Sequence, residues 1–245
     1  MGTADELVPL LKKVRLSGVL DTLELRLQQA AEDRISHREF LVRVLHDEVE
    51  RRDAKQLELR IRKAAFEHDK TLEEFDFAFN DQIPRERIID LATCAFVRRK
   101  SNVLLLGPTG TGKSHVAQAL GHRACRLGFT TQFVDAHRLL AELRAARADG
   151  TLDRRHRHYA KLDLLIIDDL GLHPMQSTDP LDLYDLVRGR YERGSIVLTS
   201  NRAVDELHGL FGDPLLASAA MDRLLHHVDV IELPGRSFRT AAARA

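Results

Sequence analysis

The sequence predicts an α/β fold: a core with a parallel five-stranded sheet, preceded by a small all-α N-terminal domain. Three observations predict it. The run GPTGTGKS, Gly107 to Ser114, follows the apolar stretch Val103 to Leu106 and precedes a helical pattern from His115 to Leu127. That setting distinguishes a phosphate-binding loop from an ordinary glycine-rich turn. From Ser101 onward, apolar β-rich runs alternate with helical ones, as in a sheet covered on both faces. Before about Asp69 the pattern is helical throughout.

The helical part begins with Leu7, Leu10, Leu11 and Val14, followed by Leu20, Leu23, Leu27, Ala30 and Ala31 at helical spacing. Thr3 with Glu6, and Ser36 with Glu39, have capping-box spacing, in which hydroxyl and carboxylate reciprocally satisfy free N–H groups at a helix start. After the second cap, Phe40, Leu41, Val44, Leu45 and Val49 form an apolar stripe expected to face a core. Arg43, Asp47, Glu48 and Arg51 are expected on a solvated face. Around Thr71 the text changes to TLEEFDFAFNDQIP, read as a linker. Its Phe75, Phe77 and Phe79 either form an exposed partner-binding strip or pin the linker to the core that follows. Pro84 opens a helix ending near Arg99. The expected strands are Val103 to Leu106, Thr130 to Val134, Leu162 to Asp168, Ser195 to Thr199 and Val228 to Leu233. The domains expected are 1–70 (helical), 71–100 (linker and leading helix) and 101–245 (the α/β core).

Composition narrows the class without naming a partner. The 245 residues are 44% hydrophobic and 30% charged, as in soluble globular proteins. Lys and Arg balance Asp and Glu at 37 each, so binding to nucleic acid must come from local patches. Cys94 and Cys125 are too few for a disulfide framework, and a reducing, cytoplasmic setting is expected. No apolar segment has membrane length, so no membrane partner is expected.

The glycine-rich loop carries the first chemistry. Gly107, Gly110 and Gly112 let successive backbone N–H groups turn toward phosphate oxygens, and the following helix presents its positive end to the same anion. Pro108, Thr109, Thr111 and His115 complete the expected cradle for ATP. Lys113 is expected on the β and γ phosphates, and Ser114 on Mg²⁺, a cation that favours oxygen ligands in octahedral array. LDLLIIDDL, Leu162 to Leu170, is an apolar strand ending in two acids. Asp168 is expected to hold Mg²⁺ through water, and Asp169 to orient or polarise the attacking water. SIVLTSN then ends in Thr199, Ser200 and Asn201. Asn201 either contacts the lytic water or is an ordinary turn former.

Taken in order, GPTGTGKS, LLIIDDLG, LTSN, MDRLLHH and GRSFR resemble the AAA+ ATPases of the IstB and DnaC group. The helical N-terminal region followed by EEFDF resembles the IstB branch, the helper ATPases of one family of insertion sequences. The resemblance implies an AAA+ core without a C-terminal lid domain. It implies Asn201 as sensor 1, Arg223 as an arginine finger acting from a neighbouring copy in a homo-oligomer, and Arg239 as a sensor 2 candidate. Spacing alone instead favours a salt bridge from Arg223 to Asp222 or Asp229. The implied function is to assemble on duplex DNA with ATP and assist a cognate transposase. The nearest alternative is a DnaC-type loader of a replicative helicase. A P-loop kinase and a nucleotide-gated scaffold are rivals from other classes. Asp169 stands where most AAA+ members carry Glu, which implies slow hydrolysis, stimulated by a partner or DNA.

Contact with DNA is expected from Arg144, Arg147, Arg154, Arg155, Arg157 and Lys161, opposed in the sequence only by Asp149 and Asp153. Such a cluster grips phosphates without reading bases; the alternative is a solvated helical face. Arg98, Arg99 and Lys100 form a second group, equally suited to a helix C-terminus.

Overall fold

The computed structural model describes residues 4–176 and 178–238. The chain divides into two units, one up to Leu59 and one from Arg60.

The first unit contains α1 (Ala4–Lys13), α2 (Ser17–Asp33) and most of α3 (His37–Ala64). Its core is Val19, Leu23 and Val44, with Leu11, Leu16 and Phe40 half-buried around them. The Ser36 cap forms in one direction, the Glu39 N–H donating to Ser36 Oγ at 3.2 Å. Thr3 lies outside the described residues.

The stripe expected to be the core face of α3 is only partly used. Leu41, Leu45 and Val49 are exposed, whereas Asp47 and Glu48 are buried. The reason is the helix α2 start, where Leu16 supplies no side-chain cap. Glu48 takes that role from α3, its Oε2 accepting the N–H groups of Gly18 at 2.5 Å and Val19 at 3.4 Å. Asp47 accepts from Thr22 at 2.6 Å and pairs with Arg26 at 2.6 Å. Any side chain at Gly18 would collide with the α3 backbone at Glu48, so glycine permits the close crossing. Free helix-terminal N–H groups needed carboxylates, and that demand outweighed the apolar stripe.

In the second unit, the segment after α3 is bound to the core. Phe75 and Phe77 pack with Phe66 and Leu72 against the buried cluster, so two of the three rings fasten the segment. Phe77–Phe79 is a short 3₁₀ turn, capped by Asp76 accepting from the N–H groups of Ala78 and Phe79. The single helix expected after Pro84 is two, α4 (Arg85–Leu91) and α5 (Ala95–Arg99), interrupted where Cys94 takes a φ of 54°.

There follow β1 (Asn102–Leu106), α6 (Lys113–Arg126), β2 (Thr131–Asp135), α7 (Ala136–Ala148), α8 (Leu152–Ala160) and β3 (Leu164–Asp168). The chain then forms α9 (Asp179–Arg190), β4 (Ser195–Ser200), the short α10 (Val204–Leu207), α11 (Pro214–Leu225) and β5 (Val228–Glu232). All pairings are parallel, in the order β2-β3-β4-β1-β5. Alternate strand residues serve the two faces: Leu104, Leu106, Leu165 and Ile167 pack with α7, α9 and α11, while Val103, Leu105, Leu164 and Ile166 pack with α4, α5 and α6. β4 therefore lies between the strand that leads into the glycine loop and the strand that ends in Asp168.

Candidate nucleotide site

β1 ends at Leu106, and the loop to α6 requires glycine. Gly107 has φ +145°, and a Cβ there would collide with the Leu233 carbonyl. Gly112 has φ +97° with the Phe75 ring against it, 2.6 Å from where a Cβ would stand. Gly112 is also the N-cap of α6 and supplies no side-chain bond, which leaves the helix's first N–H groups to an anion. Lys113 is buried and donates to the Pro108 carbonyl at 2.8 Å; Thr111 donates to the same oxygen at 3.0 Å.

Above this loop is a cavity of about 350 Å³, lined at one end by Thr109 to His115 and by Asp169. The rest of its lining mixes the apolar Phe75, Phe79, Ile83 and Phe238 with the charged Lys70, Glu74 and Asp76. Phe79 and Phe238 meet edge to face at 4.9 Å, and the Phe238 N–H donates to the Gly110 carbonyl at 2.9 Å. A glycine loop beside aromatic rings in one cavity matches an anionic ligand carrying a flat apolar group. The sequence reading missed this aromatic lining. Its only signal was the Phe triplet, since Phe238 lies far along the chain and joins through tertiary contact. His115, also in the lining, places its Nε2 2.7 Å from the Thr71 carbonyl and its ring against Phe75. Burial lowers its pKa.

Asp168 ends β3 and is buried. Burial pushes its pKa up, against the hydrogen bonds from Thr199 and Ser114 that favour the carboxylate. The Thr199 hydroxyl donates to Asp168 Oδ1 at 2.6 Å and accepts the Asp169 N–H at 2.8 Å. Asp169 itself has φ 54°. Ser114 and Asp168 together form an all-oxygen donor pair that fits Mg²⁺, and a cation beside Asp168 would offset the cost of its buried charge.

Asn201 follows β4 and is exposed. The polar residue of this strand that touches Asp168 is Thr199, two positions earlier. The register shows why: Ile167 pairs with Leu198, so the next positions, Asp168 and Thr199, are neighbours. Arg223, in the last turn of α11, donates to the Ala219 carbonyl at 2.7 Å and lies over the Tyr184 ring at 5.5 Å. It forms no ion pair with Asp222 or Asp229 among the described residues. It is absent from the cavity lining and stands near the starts of β1 and β4, the sheet edge opposite the loop. Arg239 lies outside the described residues.

The basic run separates into two sets. Arg144 pairs with Asp179 at 2.6 Å, and Arg147 pairs with Asp182; both carboxylates are buried on α9. These two arginines tie α7 to α9. Arg154, Arg155, Arg157 and Lys161 are exposed on and just after α8.

Fold and site define a P-loop nucleotide-binding protein built on a parallel five-stranded α/β core. The chain belongs to the family of IstB-like ATP binding proteins, whose model matches residues 9–245. It is 38% identical over 98% of its length to the IS21 insertion-sequence ATP-binding protein of Pseudomonas aeruginosa, covering 90% of that protein. It is 39% identical to an insertion-sequence ATP-binding protein of Mycobacterium tuberculosis, over 94% of this chain and 92% of that one. Among solved structures, DnaI is similar at 21% identity and TM-score 0.59, covering 67% of this chain and 91% of that one. The replication initiator DnaA, bound to AMPPCP and single-stranded DNA, is similar at 20% identity and TM-score 0.58, with 70% of this chain covered. This chain spans about half of that DnaA chain, 52%, and both likenesses concern the fold. No helix among the described residues is long and apolar enough to cross a membrane.

Proposed function

We propose that this protein is an ATPase that binds ATP in the loop cavity, assembles on duplex DNA and assists a transposase. The observation that carries the nucleotide reading is the convergence of the uncapped α6 start, Lys113, and the Ser114–Asp168 pair beneath one cavity. The insertion-sequence names of the relatives support the transposase and the DNA setting.

In this reading the α6 N–H groups and Lys113, released from Pro108, hold the phosphates, while Phe75, Phe79 and Phe238 enclose the base. Ser114 and Asp168 would hold Mg²⁺, the latter through water, and the bound ion would supply positive charge against the phosphates. Asp169 orients the attacking water, with Asn201 as its sensor partner. Thr199 donates to the Asp168 carboxylate, which favours its ionised form against burial, and fixes the Asp169 backbone. Hydrolysis breaks the bond from the β–γ bridging oxygen to the γ phosphorus, the water oxygen joins that phosphorus, and ADP and phosphate leave. Arg223, far from its own loop, supplies its guanidinium to the site of a neighbouring copy. The exposed Arg154, Arg155, Arg157 and Lys161 supply the DNA-contacting charge.

The test measures ATP turnover with and without duplex DNA and transposase. Stimulation by duplex DNA is expected; absence of both stimulation and ATP-dependent DNA binding would overturn the proposal. Mixing Arg223→Ala with Asp169→Asn should recover activity that neither variant has alone.

A further inference from the structure

A second cavity, of about 190 Å³, lies at the sheet edge opposite the loop, where β1 and β4 start. Arg99, Lys100, Arg190 and Arg223 line it, together with His226 and His227, and Glu192 is the only carboxylate among its described lining residues. The helices α5, α9 and α11 end nearby, at Arg99, Arg190 and Leu225. Their carbonyl ends offset about half a charge each, less for the short α5, and so balance only part of four cations facing one acid.

Arg190 makes this more than a capping arrangement. It is 1% exposed and donates to the Tyr159 and Ser195 carbonyls, both neutral acceptors. It forms no salt bridge, and its buried Nε has no hydrogen-bond partner among the described residues. The one carboxylate acting on it, Asp163, makes no ion pair with it, and a buried guanidinium so weakly compensated is costly unless a further anion is near. Tyr191 and His226 add hydrogen-bonding groups at the rim, their Oη and Nδ1 3.1 Å apart.

We propose that this cavity is an oxyanion site that accepts phosphate oxygens. The phosphate comes either from solution or from the nucleotide of a neighbouring copy. The second source rests on the trans role of Arg223 proposed above, and the first does not. In both, the exposed Arg99 and the half-buried Lys100 provide the charge that captures the anion, and Arg190 the fixed positive field behind it.

The probe is inorganic pyrophosphate, added to the Lys113→Ala chain so that the loop contributes as little as possible. Binding is read from the imidazole NMR resonances of His226 and His227. Saturable shifts are expected, with affinity falling at least tenfold in the added Arg99→Glu and Lys100→Glu changes. No shift, or undiminished shift in that charge-reversed chain, would overturn the proposal. The charge-reversed chain is checked for an unchanged unfolding midpoint, and Arg99→Gln with Lys100→Gln gives a second comparison in which partial weakening is expected. A second arm returns Arg99→Gln and Lys100→Gln to a chain with an intact Lys113. Loss of ATP-driven assembly there assigns the phosphate to the neighbour's nucleotide; intact assembly, with pyrophosphate binding weakened in the Lys113→Ala background, assigns it to solution. Because the first arm needs neither ATP binding nor turnover, it stands or falls separately from the ATPase reading.

Discussion

The Thr199 hydroxyl is shared between two consecutive acids: it donates to the Asp168 carboxylate at 2.6 Å and accepts the Asp169 N–H at 2.8 Å. Thr199 is fully buried, so water cannot replace either bond. One side chain on β4 thus holds both the charge of Asp168 and the backbone direction of Asp169.

Replacing that hydroxyl should therefore cost stability and turnover together. Thr199→Val leaves a buried acceptor and a buried donor unpaired, and a loss of about 1–3 kcal/mol is expected in denaturant unfolding. Thr199→Ser should restore most of the stability and of the ATPase rate. Equal loss in Thr199→Ser, which keeps the hydroxyl, would show that the two shared hydrogen bonds are not the source of the effect.

Asp168 should limit the stability of the nucleotide-free protein. Its folded pKa is raised above the unfolded value by burial, so the folded state holds the proton more tightly. Between those two pKa values the native state binds more protons, and stability falls as pH rises through the window. Asp168→Asn should raise the unfolding midpoint at neutral pH while abolishing hydrolysis. A lower midpoint would show that the hydrogen bonds from Thr199 and Ser114 outweigh burial.

The acid response of the N-terminal unit should be traceable to Asp47. Its pKa is lowered to about 2 by the Arg26 guanidinium and the Thr22 hydroxyl. A depressed carboxylate contributes stability above its unfolded pKa and loses it as pH falls through the folded one. That contribution should be complete above about pH 4 and fade toward pH 2. Helical circular dichroism of Asp47→Asn should show lower stability at neutral pH and a flatter response across that window.

The two sets of basic residues should separate by experiment. Arg147→Ala strands the fully buried Asp182, and a loss of about 3 kcal/mol is expected. Arg154→Ala, Arg155→Ala and Arg157→Ala combined should leave the unfolding midpoint near its original value. If these three contact phosphates, the dependence of log affinity for duplex DNA on log salt should shallow by about 3.

Much of the sheet was legible because burial on two faces writes a local pattern. Each expected strand overlaps an observed one, and Gly107 to Ser114 joins β1 to α6. The helical unit was less legible: the expected helices form, but Leu41, Leu45 and Val49 face outward while Glu48 turns inward to cap α2. Periodicity identifies a helix, yet it contains no record of an unsatisfied N–H on another helix. The basic run shows the same limit, because Asp179 and Asp182 lie far along the chain from Arg144 and Arg147.

The sequence by itself determined the glycine loop, the acid-ended strand and the order of elements, since these depend on residues adjacent in the chain. Tertiary structure alone decided that Phe238 joins Phe79 over the loop and that Thr199 meets Asp168. It also decided that Arg223 stands at the edge away from its own loop. Those relationships arise from parallel strand order and register, which bring distant residues together through backbone hydrogen bonds and packing between segments that no local pattern specifies.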